Sequence, residues 1–254
     1  NRASRNQCAL ACFPAMNERF RVTRAFLCFF LLMAMPSAIA KDATVVLLHG
    51  LARTSRCMGK MQRALEAEGY RVANVEYPSR KHRVEELAKQ VRASIVAQVP
   101  EGESLHFVTH SLGGILVRYL QQTSPLPNAK RLVMLSPPNH GSEVVDKLRR
   151  WPLFHWINGP AGVQLGTEPD GLVPSLGPPT LEVGVITGDR SINWILSRFI
   201  PGPDDGKVSI ESARLEGMRD FLVVHASHPY IMKKREVLES TIRFLESGSF
   251  QESP

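Results

Sequence analysis

The feature that most constrains the fold is a regular alternation of short apolar runs with amphipathic stretches. Residues 44–48 (TVVLL) are continuously apolar, as in a parallel strand buried on both faces. Similar runs occur at 71–75, 104–109, 131–135, 182–187 and 220–224, and helical periodicity at 55–68, 84–99, 112–122 and 230–246. We therefore predict an α/β fold with a mostly parallel, doubly wound sheet of about six strands and helices on both faces.

One segment, residues 137–180, interrupts this alternation. It is rich in Pro and Gly and shows no long periodic stretch. Long loops in compact domains are usually functional or disordered, and the aromatic residues here argue against disorder. We predict an irregular excursion over the sheet edge that carries the active site, without a large cap domain. Trp151, Phe154, Trp156 and Leu165 are candidates for a substrate-binding groove or a small mobile lid, and the alternative is a small core beneath the loop.

The first 40 residues have the pattern of a targeting segment. After a start at Met16, three arginines precede an apolar run at 25–35, and small residues follow at 38–40 (AIA). This order is typical of a signal peptide. We therefore predict a leader at 1–40, a domain at 41–254, and export to the periplasm or medium. The alternative is an uncleaved N-terminal anchor, although the apolar run is short against the roughly 20 residues that a membrane span needs.

The basic composition mostly reflects that segment. The chain has a formal charge of +7, but residues 1–40 contain five arginines against one glutamate, which leaves +3 for residues 41–254. The remaining cations are scattered, so we expect no nucleic-acid partner. Cys57 is the only cysteine in 41–254, which excludes an intramolecular disulfide and a cysteine-based zinc site there. We expect no metal or cofactor and leave the oligomeric state open.

The strongest chemical signal is the stretch 108–114 (VTHSLGG), where a predicted strand turns directly into a predicted helix. A tight turn at this junction exposes the hydroxyl of Ser111 at the carboxyl edge of the sheet, as in a G-x-S-x-G nucleophile elbow. Thr109 replaces the first glycine of that pattern, so we expect a slightly more open turn. The competing interpretation is an ordinary serine that caps a helix.

A second loop, 49–51 (HGL), follows the first strand and should reach the same edge. Gly50 would let the backbone approach a ligand closely. The N–H groups of Leu51 and Leu112 could then stabilise a developing oxyanion, since Leu112 opens a helix.

A general base is expected after the last strand, in residues 224–229 (VHASHP). We favour His228, which lies in the loop and could reach Ser111. His225 is the rival, and because it adjoins the apolar strand we expect it to be partly buried.

The acid is expected in residues 203–208 (PDDGKV). We favour Asp205, with Asp204 as the alternative acid and Asp189 as a weaker third candidate. The competing interpretation is that both residues of the pair only shape a turn or bind a surface cation. The chosen carboxylate would orient His228, which takes the proton of Ser111.

Taken together, these stretches resemble the α/β-hydrolase superfamily, specifically small bacterial lipase- and esterase-like proteins. The resemblance rests on residues 49–51, 109–114, 136–142 (SPPNHGS), 205–208 and 227–228. It implies a triad of Ser111, Asp205 and His228, an oxyanion hole at Leu51 and Leu112, and hydrolysis of a small-molecule or lipid ester. Contact with a membrane or lipid interface is compatible with such a substrate. The alternatives are an acyltransferase or peptidase with the same triad, or a non-catalytic binding protein.

Overall fold

The computed structural model of the chain describes residues 41–251. The predicted signal peptide, its start at Met16 and its cleavage site lie outside these residues. Within 41–251, no helix is both long enough and apolar enough to cross a membrane.

A single sheet of six parallel strands organises the described part of the chain. The strand order is β2-β1-β3-β4-β5-β6, which confirms the predicted α/β class. The strands are β1 (Ala43–Leu48), β2 (Arg71–Val75), β3 (Ser104–His110), β4 (Ala129–Leu135), β5 (Glu182–Gly188) and β6 (Asp220–Val224). Each agrees with its predicted apolar run to within two residues.

Helices cover both faces of this sheet. They are α1 (Gly59–Ala67), α2 (Val84–Gln98), α3 (Leu112–Thr123), α4 (Glu143–Leu148), α5 (Pro152–Val163), α6 (Leu172–Ser175), α7 (Trp194–Ser197), α8 (Ile210–Ala213) and α9 (Arg235–Ser247), with 3₁₀ turns at Ser55–Met58 and Ile231–Lys233. Val46 and Leu48 join the apolar core shared with α2 and α3, whereas Val45 and Leu47 join the core shared with α1 and α9. Because successive strand side chains point to opposite faces, one continuous apolar run supplies both cores.

The segment 137–180 is less irregular than predicted, since it contains α4, α5 and α6. Its periodicity is hidden because α5 is two helical pieces joined at Gly159, which has φ 66° and precedes Pro160. A Cβ atom at Gly159 would collide with the main-chain carbonyl of Arg80. This contact packs the segment against the β2–α2 loop.

Candidate active site

Ser111 lies between β3 and α3 in an unusual backbone conformation. Its φ of 51° and ψ of −119° lie in a region that residues with a Cβ atom rarely adopt. Its N–H donates a hydrogen bond of 2.9 Å to the carbonyl of Leu135 on the neighbouring strand. Such strain persists where the surrounding structure enforces it, and it is common at functional sites. The conformation matches the sharp strand-to-helix turn expected from the sequence.

Small residues after the serine make this turn possible. A Cβ atom at Gly113 would lie 2.7 Å from the carbonyl oxygen of Leu48, and one at Gly114 would collide with the methyl group of Met134. Thr109, the departure from the elbow pattern, is buried, and its hydroxyl lies 3.4 Å from a main-chain carbonyl of β4. The helix and the sheet therefore meet too closely here for larger side chains in α3.

His228 lies between Ser111 and Asp205. Its Nε2 is 3.2 Å from the Ser111 hydroxyl oxygen, and its Nδ1 is 2.8 Å from an Asp205 carboxylate oxygen. All three residues are buried. A carboxylate only accepts hydrogen bonds, so the neutral ring carries its proton on Nδ1 and Nε2 accepts from Ser111. The structure thus brings the three sequence-predicted residues into one hydrogen-bonded chain.

The second oxygen of the Asp205 carboxylate is also occupied. It accepts hydrogen bonds of 3.0 Å from the N–H groups of Lys207 and Val208. Burial alone would raise the pKa of Asp205, but the adjacent His228 and the hydrogen bonds to the carboxylate outweigh it and hold the pKa below its usual value. Asp205 is therefore ionised at neutral pH.

The alternative candidates for the acid and the base make other contacts and do not join the chain from Asp205 to Ser111. The Asp204 carboxylate accepts hydrogen bonds of 2.7 Å from the Ser197 hydroxyl and the Gly206 N–H, so it closes a local turn. Asp189 lies 3.0 Å from His225 in a separate pair. The expectation that His225 is partly buried is wrong, because 73% of its side chain is exposed at the sheet edge.

The loop after β1 packs directly against the serine turn. A Cβ atom at Gly50 would lie 2.6 Å from Nδ1 of His110 and 3.2 Å from the Cβ of Ser111, so Gly50 makes room for these side chains. Leu51 follows it, and Leu112 is the first residue of α3. The N–H of Leu112 has no acceptor within its own helix. The position of Gly50 keeps the Leu51 segment beside Ser111.

A cavity of about 120 Å³ lies beside His228. Its lining contains three residues that the sequence motifs did not indicate, namely Arg53, Ile192 and Asn193, together with Leu51, His110, Asp205, Gly206, Lys207, His228 and Pro229. The three come from two loops that are distant in sequence, so no local pattern could have grouped them. Among the described residues, no three side chains of the metal-ligating types converge on a metal site.

The predicted groove residues differ in their surroundings. Trp151 and Trp156 are 62% and 78% exposed, Phe154 is half-buried against the core, and Leu165 is buried within it. The helix α5 approaches the site at Gly162, where a Cβ atom would lie 2.8 Å from the Leu51 side chain. The sequence reasoning overlooked a second exposed apolar group on and around α7, formed by Ile192, Trp194, Ile195 and Phe199.

Comparison with known proteins places this architecture in a family. The chain is similar in structure to a mature lipase of Bacillus licheniformis, with a TM-score of 0.63, 19% identity, and coverage of 85% of this chain and 96% of the other. The chain is also similar to a metagenomic carboxyl esterase, with a TM-score of 0.60, 17% identity, and coverage of 78% of this chain and 69% of the other. A phospholipase of Legionella pneumophila is similar with a TM-score of 0.56 and 20% identity, and the match covers 68% of this chain and 44% of the phospholipase chain.

No curated protein matches the chain. The sequence itself matches a family model: residues 45–234 fit the alpha/beta hydrolase family, from β1 to the segment after His228. That range includes β2 to β6 in full and β1 except for its first two residues. The chain therefore belongs to the alpha/beta hydrolase family.

Proposed function

We propose that this chain is a serine hydrolase that cleaves carboxylic esters through an acyl-enzyme on Ser111. The observation that carries the proposal is the hydrogen-bonded chain from Asp205 through His228 to Ser111, with distances of 2.8 and 3.2 Å. The strained backbone of Ser111, at φ 51°, supports the same role.

In the first half-reaction, His228 takes the proton of the Ser111 hydroxyl as the oxygen attacks the ester carbonyl. The N–H groups of Leu51 and Leu112 would stabilise the resulting oxyanion. The ionised Asp205 stabilises the His228 imidazolium, which then protonates the departing alcohol. In the second half-reaction, His228 activates a water molecule that attacks the acyl-enzyme, and Ser111 recovers its proton.

An apolar or lipid ester is the substrate that the surroundings favour. Exposed tryptophans occur on both segments that adjoin the site: Trp151 and Trp156 at α5, and Trp194 on α7. Indole rings combine a large apolar surface with a polar N–H, which suits a lipid–water interface. We include export in this proposal, since the predicted leader would bring the enzyme to lipid substrates outside the cytoplasm.

The test is labelling of the protein with a fluorophosphonate, followed by mapping of the modified residue by mass spectrometry. We expect the label on Ser111 and its complete loss in Ser111→Ala. Ser240→Ala, which removes a buried serine on α9, serves as the control and should label normally. An unlabelled wild-type protein, or a label on another serine, would contradict the proposal.

Hydrolysis of p-nitrophenyl esters from acetate to palmitate, with and without an emulsion, then tests the substrate. We expect turnover that rises with acyl length and is lost in Ser111→Ala. Labelling of Ser111 without turnover of any ester would instead indicate an acyltransferase or peptidase.

A further inference from the structure

The cavity beside His228 is lined by two cationic residues, Arg53 and Lys207, and by one acid, Asp205, whose carboxylate oxygens already accept hydrogen bonds. We infer that it is a subsite for an anionic group of the substrate, a carboxylate or a phosphate, bound by Arg53 and Lys207. This inference rests on the proposed function, because it places the anionic group on the ester that Ser111 attacks.

Arg53 is held next to the general base. One of its terminal nitrogens donates a hydrogen bond of 3.2 Å to the carbonyl of Pro229, the residue after His228. A guanidinium group has five N–H donors, so this bond leaves most of them for a ligand. Among the described residues, no carboxylate forms an ion pair with Arg53 or with Lys207. A half-buried, anchored and unneutralised arginine is well suited to binding an oxyanion.

Lys207 adds a second positive charge to the same cavity. It follows Gly206 in the turn that holds Asp205, and it is one of the residues that line the cavity. Desolvation by the surrounding atoms and the charge of Arg53 both lower the pKa of Lys207 and outweigh the opposing charge of Asp205, although the residue as a whole is exposed. The two cations are thus close enough to repel each other, and an anion between them would relieve that repulsion.

Asp205, the acid in this cavity, offsets the two positive charges only in part. Its charge raises the pKa of Lys207, but desolvation and the charge of Arg53 outweigh that effect. Asp205 is fully buried, and its two oxygens already accept hydrogen bonds from His228, Lys207 N–H and Val208 N–H. Asn193 uses its side-chain oxygen to accept from a backbone N–H of α7, which leaves its amide N–H groups as donors. The polar wall of the cavity is therefore rich in donors and positive charge.

Two matched esters test the subsite. Mono-p-nitrophenyl glutarate carries a carboxylate, and its methyl ester has the same acyl chain without the charge. We expect wild-type kcat/KM to favour the anionic ester by about tenfold, as one charge-assisted contact allows. Arg53→Gln and Lys207→Gln should each reduce that ratio severalfold or more, and added salt should reduce it in the wild type.

Arg56→Gln is the matched control, since it removes an exposed cation three residues from Arg53 that does not line the cavity. It should leave the ratio unchanged. A wild type that prefers the neutral ester, or a ratio that survives both cavity substitutions, would overturn the inference.

Failure of the proposed function is recognised separately, as an absence of turnover with either ester. Calorimetric titration with glutarate and with inorganic phosphate then tests the subsite alone and shows which anion it prefers. Binding of either anion that is lost in Arg53→Gln and kept in Arg56→Gln would support the subsite. No binding of either anion, or equal binding by both variants, would overturn it.

Discussion

The Nε2 atom of His110 lies 3.0 Å from the main-chain carbonyl oxygen of His228, and the two imidazole rings are 4.8 Å apart. Since a carbonyl oxygen only accepts, His110 donates through Nε2–H. Burial, followed by the charges of His228 and Arg53, lowers the pKa of His110 well below its usual value, so the ring stays neutral. The residue before Ser111 therefore fixes the loop that carries the proposed general base.

We predict that His110→Ala lowers kcat on p-nitrophenyl butyrate by about a hundredfold, the scale expected when a reacting group moves by about 1 Å. KM should change much less, because this neutral ester has no anionic group to bind in the cavity that His110 helps to line. His110→Gln keeps a donor on the side chain and should recover part of the lost kcat. Steady-state kinetics with urea unfolding as a folding check measure this. A rise in KM with unchanged kcat would refute the positioning role.

The two adjacent aspartates should respond very differently to amidation. Asp205→Asn places a donor against the Nδ1–H of His228 and disfavours the productive tautomer, so kcat should fall by about 10⁴-fold. Asp204→Asn alters only the turn that involves Ser197, and its effect should be far smaller. Both variants are compared by kcat on the same ester. A greater loss of kcat in Asp204→Asn than in Asp205→Asn would assign the role of the acid to Asp204 instead of Asp205.

The parts of the fold and the site that can be predicted from the sequence are those whose pattern lies within a few neighbouring residues. Strand β1 can be recognised from its continuous apolar residues, because both faces of the sheet need apolar side chains there. Ser111 can be recognised because the strand, the serine and the helix follow one another directly in the sequence. By contrast, α5 has no continuous periodicity, since Gly159 and Pro160 divide it.

The remainder of the site depends on contacts between distant residues. Asp204 and Asp205 are identical in type, and their different partners follow from a turn in which Gly206 has φ 99°. Arg53 and Ile192 share a cavity only after the sheet has brought their loops together. Sequence reasoning could propose both aspartates, but it could not identify these neighbours.

His106 should make the fold sensitive to mild acid. It is buried on β3 against the edge of Tyr70. Burial, then the charges of Arg131 and Lys130, lower its pKa from 6.5 to about 4, against a smaller opposing effect of Glu182. The unfolded chain therefore binds this proton more readily. The neutral His106 ring therefore contributes about 3 kcal/mol to the free energy of unfolding above pH 6.5, and this contribution is lost as the pH falls toward 4.

His106→Phe removes the titrating group and keeps a ring against Tyr70. The free energy of unfolding in urea should therefore fall less between pH 6.5 and pH 4 in this variant than in the wild type. His140→Gln removes one exposed imidazole and is the control. Parallel pH profiles for wild type and His106→Phe would show that His106 is not responsible.

Arg118 should be a major determinant of stability. It is buried, it has no carboxylate partner within residues 41–251, and it donates to the carbonyls of Asn139 at 2.9 Å and of Leu176 at 2.7 Å. It thereby joins α3 to the segment 137–180. Arg118→Ala leaves these buried acceptors unpaired, so the free energy of unfolding should fall by about 3 kcal/mol or more. An unfolding midpoint in urea within error of the wild type would contradict this.

The backbone conformation of Ser111 predicts that glycine at this position gives a more stable protein than alanine does. At φ 51° and ψ −119°, any residue with a Cβ atom is strained, and glycine is not. Ser111→Gly should therefore raise the free energy of unfolding by about 1 kcal/mol relative to Ser111→Ala. Both variants lose the hydroxyl and its hydrogen bond to His228, so their difference reports the strain less the roughly 0.5–1 kcal/mol by which the backbone freedom of glycine favours the unfolded chain. Urea unfolding of the two proteins measures it. If the glycine variant is the less stable of the pair by about 1 kcal/mol, as its backbone freedom alone would make it, the turn is not strained, and its conformation is no sign of a site built around the serine.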